Sequence, residues 1–242
     1  MSIGSLLGII LALTGGVLVY FGYRKTSESN NLSRYVPAEN INSIPFEIPV
    51  VVTGTVSADQ PLLSPVTKKP CVYYDYILER ETEKKDDKGN TSWEWQTVGA
   101  PEKQTEPFYL QDTSGKLLIK PENCEVNSIY RTQQFLEPGT IDNAKSTGMK
   151  ILSAALNISN TLKGNRERVT EHTIFTGSTL TVFGILTMEG DQKFIQKTQA
   201  YPLVLSPLSK AQLISSEKKV AYVFYGLAMI LFVVGAILLY RK

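Results

Sequence analysis

Apolar positions fall in three regimes along this chain. At its two ends, Ile3 to Tyr23 and Val220 to Tyr240 contain no Asp, Glu, Lys, Arg or His. Each run is about the ~20 residues a helix needs to cross the hydrocarbon core of a bilayer. Both read as transmembrane helices. The first lacks the basic n-region and small-x-small cleavage site of a signal peptide, so a retained anchor is expected. Gly15, Gly16, Gly22, Gly226 and Gly235 within the runs are the small residues that let neighbouring helices approach.

Between the runs the period changes to two. Phe46, Ile48, Val50, Val52 and Val56 recur on alternate positions, and Pro61, Pro65 and Pro70 then break the chain. CVYYDYILERETE resumes the alternation from Cys71, with Val72, Tyr74, Tyr76 and Leu78 on one face and Cys71, Tyr73, Asp75 and Ile77 on the other. The polar KKDDKGN reads as a solvated turn into TSWEWQTV, giving a long hairpin with Trp93 and Trp95 on one side. A second hairpin is expected over Phe108 to Ile119, where Asp112 and Gly115 bracket a tight turn. The last third returns to strands around Thr176-Gly177 and Glu189-Gly190-Asp191. Only between Pro138 and Gly164 does helical spacing intervene: Ile151, Leu152, Ala155, Leu156, Ile158 and Leu162 predict one amphipathic helix, capped by Ser146 or Thr147. Lys25 to Ser43, with SESNN and NINS, reads as a polar linker lifting the domain off the bilayer. Ser206-Pro207 is a cap and first-turn pair for a helix running through SKAQLISSEKK into the second apolar run. The expected fold is mainly β, an antiparallel barrel-like domain over residues 44–213 with one helix, between transmembrane helices at 3–23 and 220–240.

Charge narrows the partners. All 23 acidic residues, and all but two of the 25 Lys and Arg, lie between Arg24 and Lys219, so the central domain carries a formal charge of zero. A neutral domain offers no long-range field to draw in nucleic acid. Arg24, Lys25 and Arg34 follow the first span, Lys210, Lys218 and Lys219 precede the second, and only Arg241 and Lys242 lie beyond it. The positive-inside rule therefore puts the domain in the cytoplasm and both termini outside, by a small charge margin that does not exclude the extracytoplasmic side.

The wording GTV, PLLSP and CVYY within Val51 to Arg80 resembles the domain called GIDE or BAM ("beside a membrane"), carried by mitochondrial outer-membrane ubiquitin ligases of the MULAN type. The segment FYLQDTSGKLLI with Lys120-Pro121, the spacing Arg168-x-x-Glu171, Gly177, Gly184, and the closing PLVLSPLSKAQL resemble the same family, so the likeness covers most of Val50 to Leu213 in four patches. The resemblance implies a membrane-anchored β-rich domain and an E3 ubiquitin-transferase-like setting; in the ligases the corresponding domain faces the intermembrane space. A RING, however, needs about eight Cys and His ligands in spaced pairs, and this chain holds two cysteines and one histidine. Ubiquitin transfer is therefore expected to be absent or supplied elsewhere, and no metal or cofactor is expected.

Two further readings remain open. An enzyme acting at the membrane would draw on Cys71 as nucleophile and His172 as base; the plainer alternatives are a buried structural cysteine and a half-exposed strand histidine. Outside the cytoplasm, Cys71 and Cys124 could form a disulfide worth about 4 kcal/mol in the chain-entropy model; inside it both are reduced. Tyr73, Tyr74, Tyr76, Trp93 and Trp95 form the densest aromatic cluster, either sheet core or a face lined for a protein or peptide. The favoured function is a non-catalytic, membrane-tethered interaction module, with homo-oligomerisation through the spans as a further possibility.

Overall fold

A computed structural model describes residues 3–127, 129–136, 139, 141 and 166–240. The helix expected over Ile151 to Leu162 lies outside the described residues. The chain runs from helix α1 (Ile3–Ser33) into β1 (Val36–Pro37), a 3₁₀ turn (Ile41–Ser43), β2 (Pro49–Ser57) and β3 (Leu62–Leu63). β4 (Pro70–Lys85), β5 (Thr91–Thr97), β6 (Glu102–Thr105), β7 (Phe108–Gln111), β8 (Lys116–Ile119) and β9 (Glu125–Val126) follow. Then come β10 (Tyr130–Leu136), β11 (Glu167–Phe175), β12 (Thr179–Glu189), β13 (Gln192–Gln196), β14 (Val204–Ser206) and helix α2 (Lys210–Tyr240).

The mainly β expectation holds. β2, β7, β8, β13 and β12 close into a five-stranded barrel, sealed where β12 pairs antiparallel with β2, Val182 opposite Val52. Both expected hairpins form: Asp112 Oδ1 accepts from the Ser114 and Gly115 N–H groups at 2.7 and 3.0 Å in the β7–β8 turn. Asp86 likewise accepts from Asn90 N–H at 2.7 Å at the tip of the β4–β5 hairpin. Side chains from every barrel strand, among them Val52, Leu110, Ile119, Leu186 and Ile195, fill the interior. Gly184 is needed where β12 closes on its neighbours, because a Cβ there would lie 2.4 Å from Ile195 Cγ2.

A second sheet runs β10–β11–β4–β3, with β5 and β6 also paired to β4. One face packs Tyr74, Tyr76, Leu78, Leu136 and Val169 into a separate cluster. Two buried carboxylates on β11 fasten loops over that face. Glu171, fully buried, accepts from Ser64 Oγ at 2.7 Å and Val66 N–H at 3.0 Å. Glu167 accepts from Arg80 Nε at 2.9 Å and Ile141 N–H at 3.0 Å.

The two long helices run antiparallel beside each other. Gly8, Gly15, Gly22 and Ser29 are buried on α1 at seven-residue spacing, and Ala221, Ala228 and Gly235 answer them on α2. That spacing holds one narrow stripe of small residues along the seam. Gly15 lies against the Phe232 ring, and Gly22 against Tyr225. Gly16 and Gly226 face outward with nothing near them.

The polar stretch expected to be a linker is instead helical as far as Ser33. Its weak propensity is overridden by packing on α2: Lys25 pairs with Glu217 at 3.0 Å, and Leu32 and Leu213 share a cluster with Tyr35, Val51, Phe183 and Val204 on the outside of the barrel. Lys210 Nζ closes the junction by donating to the Ser33 carbonyl at 3.0 Å. α2 is continuous with the second apolar run, as expected, but its cap is Ser209 rather than Ser206. Gln212 Oε1 accepts from Ser209 N–H at 2.9 Å and Ser209 Oγ from Gln212 N–H at 3.3 Å, a capping box. Ser206 is buried in β14.

Candidate binding face

β4 is the spine of the second sheet, and one irregularity in it sorts the candidate residues. Ile174 pairs with Tyr73 and Phe175 with Cys71, leaving Val72 without a partner on β11. This β-bulge reverses the alternation at its site. Cys71 is thereby moved onto the face of Tyr74, Tyr76 and Leu78, whereas Val72 and Tyr73 join the barrel cluster. Strict alternation, which put Cys71 with Tyr73 and Asp75, fails for that reason.

The five aromatic candidates consequently do not form one surface. Tyr74 and Tyr76 are buried on the inner face, their rings stacked with centroids 6.3 Å apart. Their hydroxyls donate to Gln104 and Glu102 of β6. Tyr73 is buried toward the barrel. Trp93 and Trp95 lie together on the outer face, opposite Glu83 and Glu81 of β4 and clear of the barrel that covers Tyr73. Trp93 is 52 % exposed.

Around the tryptophans the structure assembles residues that the sequence reading missed. Arg168 of β11 stands opposite Glu79 of β4 and holds its carboxylate through two hydrogen bonds of 2.7 and 2.9 Å. The same guanidinium carbon lies 4.0 Å from the Trp95 ring. Arg166 repeats the arrangement one row on, donating to Glu81 at 2.7 Å. Phe135 of β10, 42 % exposed, packs against Trp95 with ring centroids 6.1 Å apart. The signal in the sequence was the alternation of acids in ERETE and arginines in RERVTE, two strands whose like spacing places opposite charges across from each other. The Arg168 guanidinium holds the Glu79 carboxyl below the usual range, against the opposing effect of burial.

About 13 Å along the same strands, at ~3.3 Å per residue, lies a second polar group. Lys103, Asp75, His172 and Arg131 are paired in one row across β6, β4, β11 and β10. Asp75 accepts from His172 Nδ1–H at 2.8 Å through one oxygen and from the Tyr73 hydroxyl at 2.7 Å through the other. This fixes His172 as the tautomer whose Nε2 is free.

Cys71 lies on the inner face and His172 on the outer, so the pair required for nucleophilic catalysis is not assembled. Burial, reinforced by the Glu171 carboxylate, pushes the Cys71 thiol up to about 12, which removes the thiolate that such chemistry needs. Cys124 is also shifted upward by burial. Both cysteines are free and sit in different clusters, Cys124 in the barrel and Cys71 in the second sheet, so no disulfide joins them. Among the described residues no group of three or more His, Cys, Asp or Glu converges as a metal site.

A closed five-stranded barrel, a second sheet and two long apolar helices define the class, and comparison supplies the family. The GIDE family, described as E3 ubiquitin ligase, matches residues 76–239. The chain belongs to that family. No curated protein and no solved structure matches it.

Proposed function

We propose that this GIDE-family chain is a membrane-tethered, non-catalytic interaction module that holds a protein segment against the outer face of its second sheet. The carrying observation is the Trp93, Trp95 and Phe135 group, partly exposed and braced by Arg168. Trp and Arg are the residues most enriched where binding energy concentrates, and exposed aromatics clustered on a soluble face call for a partner more than scattered ones do. Trp95 is already held in place by its cation–π contact and by Phe135, so little ordering entropy opposes docking.

Tethering is supported by the helices. Both are long and apolar enough to cross a membrane. Leu13 on α1 and Met229 and Ile230 on α2 are 59 to 68 % exposed, a surface suited to lipid. The apolar 21 residues at the distal end of each helix span about 31 Å, the thickness of the hydrocarbon core. The remaining turns form a stalk of about 15 Å under the domain. Because the helices are antiparallel, both termini lie on the side away from the domain, and the juxtamembrane lysines and arginines favour a cytoplasmic domain.

Within the ubiquitin-ligase setting of the family, this module would present a protein, since the two cysteines and one histidine of these 242 residues do not complete a RING. The test is co-purification from native membranes in mild detergent. Replacing Trp93 and Trp95 together by Ala is expected to reduce the specifically retained protein at least about tenfold, since a buried aromatic anchor contributes ~2 kcal/mol or more. Retention unchanged in a folded double variant overturns the proposal.

A further inference from the structure

Asp75, Val126, Ile129, Arg131 and His172 line an open cleft of about 470 Å³. Asp75 is fully engaged by His172 and Tyr73, and its charge is opposed by Lys103 directly across β6. Lys103 is itself steered over the Tyr73 ring, 5.2 Å from its centroid. Two polar groups remain at the cavity, the Arg131 guanidinium and His172 Nε2. Among the described residues Arg131 makes no hydrogen bond or ion pair, although its charge helps keep Glu79 ionised. His172 Nε2 likewise has no partner there, while its ring is oriented through Nδ1.

We propose that this cavity is a binding site for a small oxyanion borne on an apolar group, an alkyl carboxylate or an alkyl phosphate monoester. The Arg131 guanidinium takes two oxygens of the anion in its planar fork. His172 Nε2 meets the remaining terminal oxygen of a phosphate monoester, accepting its proton when the imidazole is neutral and donating when it is protonated, and with a carboxylate the protonated ring shares one of the two oxygens held by Arg131. Val126 and Ile129 receive the alkyl part, which favours a substituted anion over acetate or inorganic phosphate. Asp75 is a positioning residue: it touches no ligand and acts by aiming the imidazole. The site needs no protein partner, so it stands or falls apart from the binding role assigned to Trp93 and Trp95.

His172 is the chain's one histidine, and its ring protons give an unambiguous nuclear magnetic resonance signal in the full-length, tag-free protein in nanodiscs of neutral lipid. The probes are butyrate, propyl phosphate, acetate and inorganic phosphate, titrated at constant ionic strength with chloride as the balancing anion. A saturable shift with butyrate or propyl phosphate is expected, with acetate or phosphate at least about fivefold weaker, the factor that burying one or two methylenes supplies. Whichever alkyl anion saturates at lower concentration identifies the headgroup. Arg131→Gln is expected to weaken saturation at least about tenfold, as loss of a bidentate charged contact does. Arg131→Lys, which keeps charge without the fork, should weaken it less. Asp75→Asn should broaden the imidazole signal and weaken binding while leaving Arg131 in place. No saturable shift with any of the four anions, or equal saturation in Arg131→Gln, overturns the proposal.

Discussion

Arg168 holds the Glu79 carboxylate with two nitrogens while its guanidinium carbon rests 4.0 Å from the Trp95 ring. One side chain thus couples β11, β4 and β5 and sets the angle at which the tryptophan faces outward. Arg168→Gln is expected to cost about 1–3 kcal/mol, most of it from leaving a largely buried carboxylate without its charged partner. The pH dependence follows from the sign of the shift. The folded-state Glu79 carboxyl lies below its ordinary 4.5, so its stabilisation is fully present above that value and is lost as pH falls through the lower folded value. Thermal unfolding of the parent chain and the variant should therefore differ most near pH 7 and converge toward pH 3. A difference that stays constant across that range would show the pair to be electrostatically idle.

Cys71 is fully buried, and its thiol is pushed up to about 12 by burial and by Glu171. Alkylation by iodoacetamide at pH 8 is expected to leave both cysteines unmodified in the folded protein and to modify both after denaturation, as mass spectrometry would report. Rapid native labelling of Cys71 would revive the nucleophile reading.

The helix seam admits a paired test. Gly22 lies against the Tyr225 ring, where a Cβ would come within 2.7 Å, whereas Gly16 faces outward with nothing within 4 Å. Gly22→Leu should destabilise the helix pair by about 1–3 kcal/mol through overpacking, and Gly16→Leu should fall within about 0.5 kcal/mol of the parent. Unfolding in detergent distinguishes them; equal effects would mean that the helices do not pair along this stripe.

Glu171 is the only described link by which a β11 carboxylate holds the Ser64–Val66 loop. Glu171→Ala strands the buried Val66 N–H and leaves the Ser64 hydroxyl with Thr67 alone, and is expected to cost about 1–3 kcal/mol. Hydrogen exchange at Val66 should rise far more than at Val182 in the barrel. Uniform acceleration at both would place the effect on global unfolding alone.

Much of this was legible beforehand because it is local. Asp112 and Gly115 mark a hairpin by turn chemistry, and Gly177, at φ +79°, marks the β11–β12 turn. The apolar runs at both ends announce long helices by length and composition. What escaped depends on contacts far apart in sequence. The bulge at Val72 arises from the joint pairing of β4 with β11, and nothing in CVYYD marks it. SESNN is helical because α2 lies alongside it, an influence from about 190 residues further on. The outer-face pairs Glu79 with Arg168 and Asp75 with His172 required knowing which strands are neighbours. Single-strand alternation assigns a side chain to a face, but the register decides whom it meets.

The most direct measurement is photo-crosslinking in the native membrane, with benzoylphenylalanine placed singly at Trp93, Phe135, Leu63 and Met188. All four positions are well exposed, at 52, 42, 60 and 58 %, but only the first two lie beside Trp95. Positions 93 and 135 are expected to give a common protein adduct, weakened at least about tenfold by Trp95→Ala, with little from 63 and 188. Equal adducts from all four positions, or lipid adducts alone from 93 and 135, would contradict a protein-binding outer face.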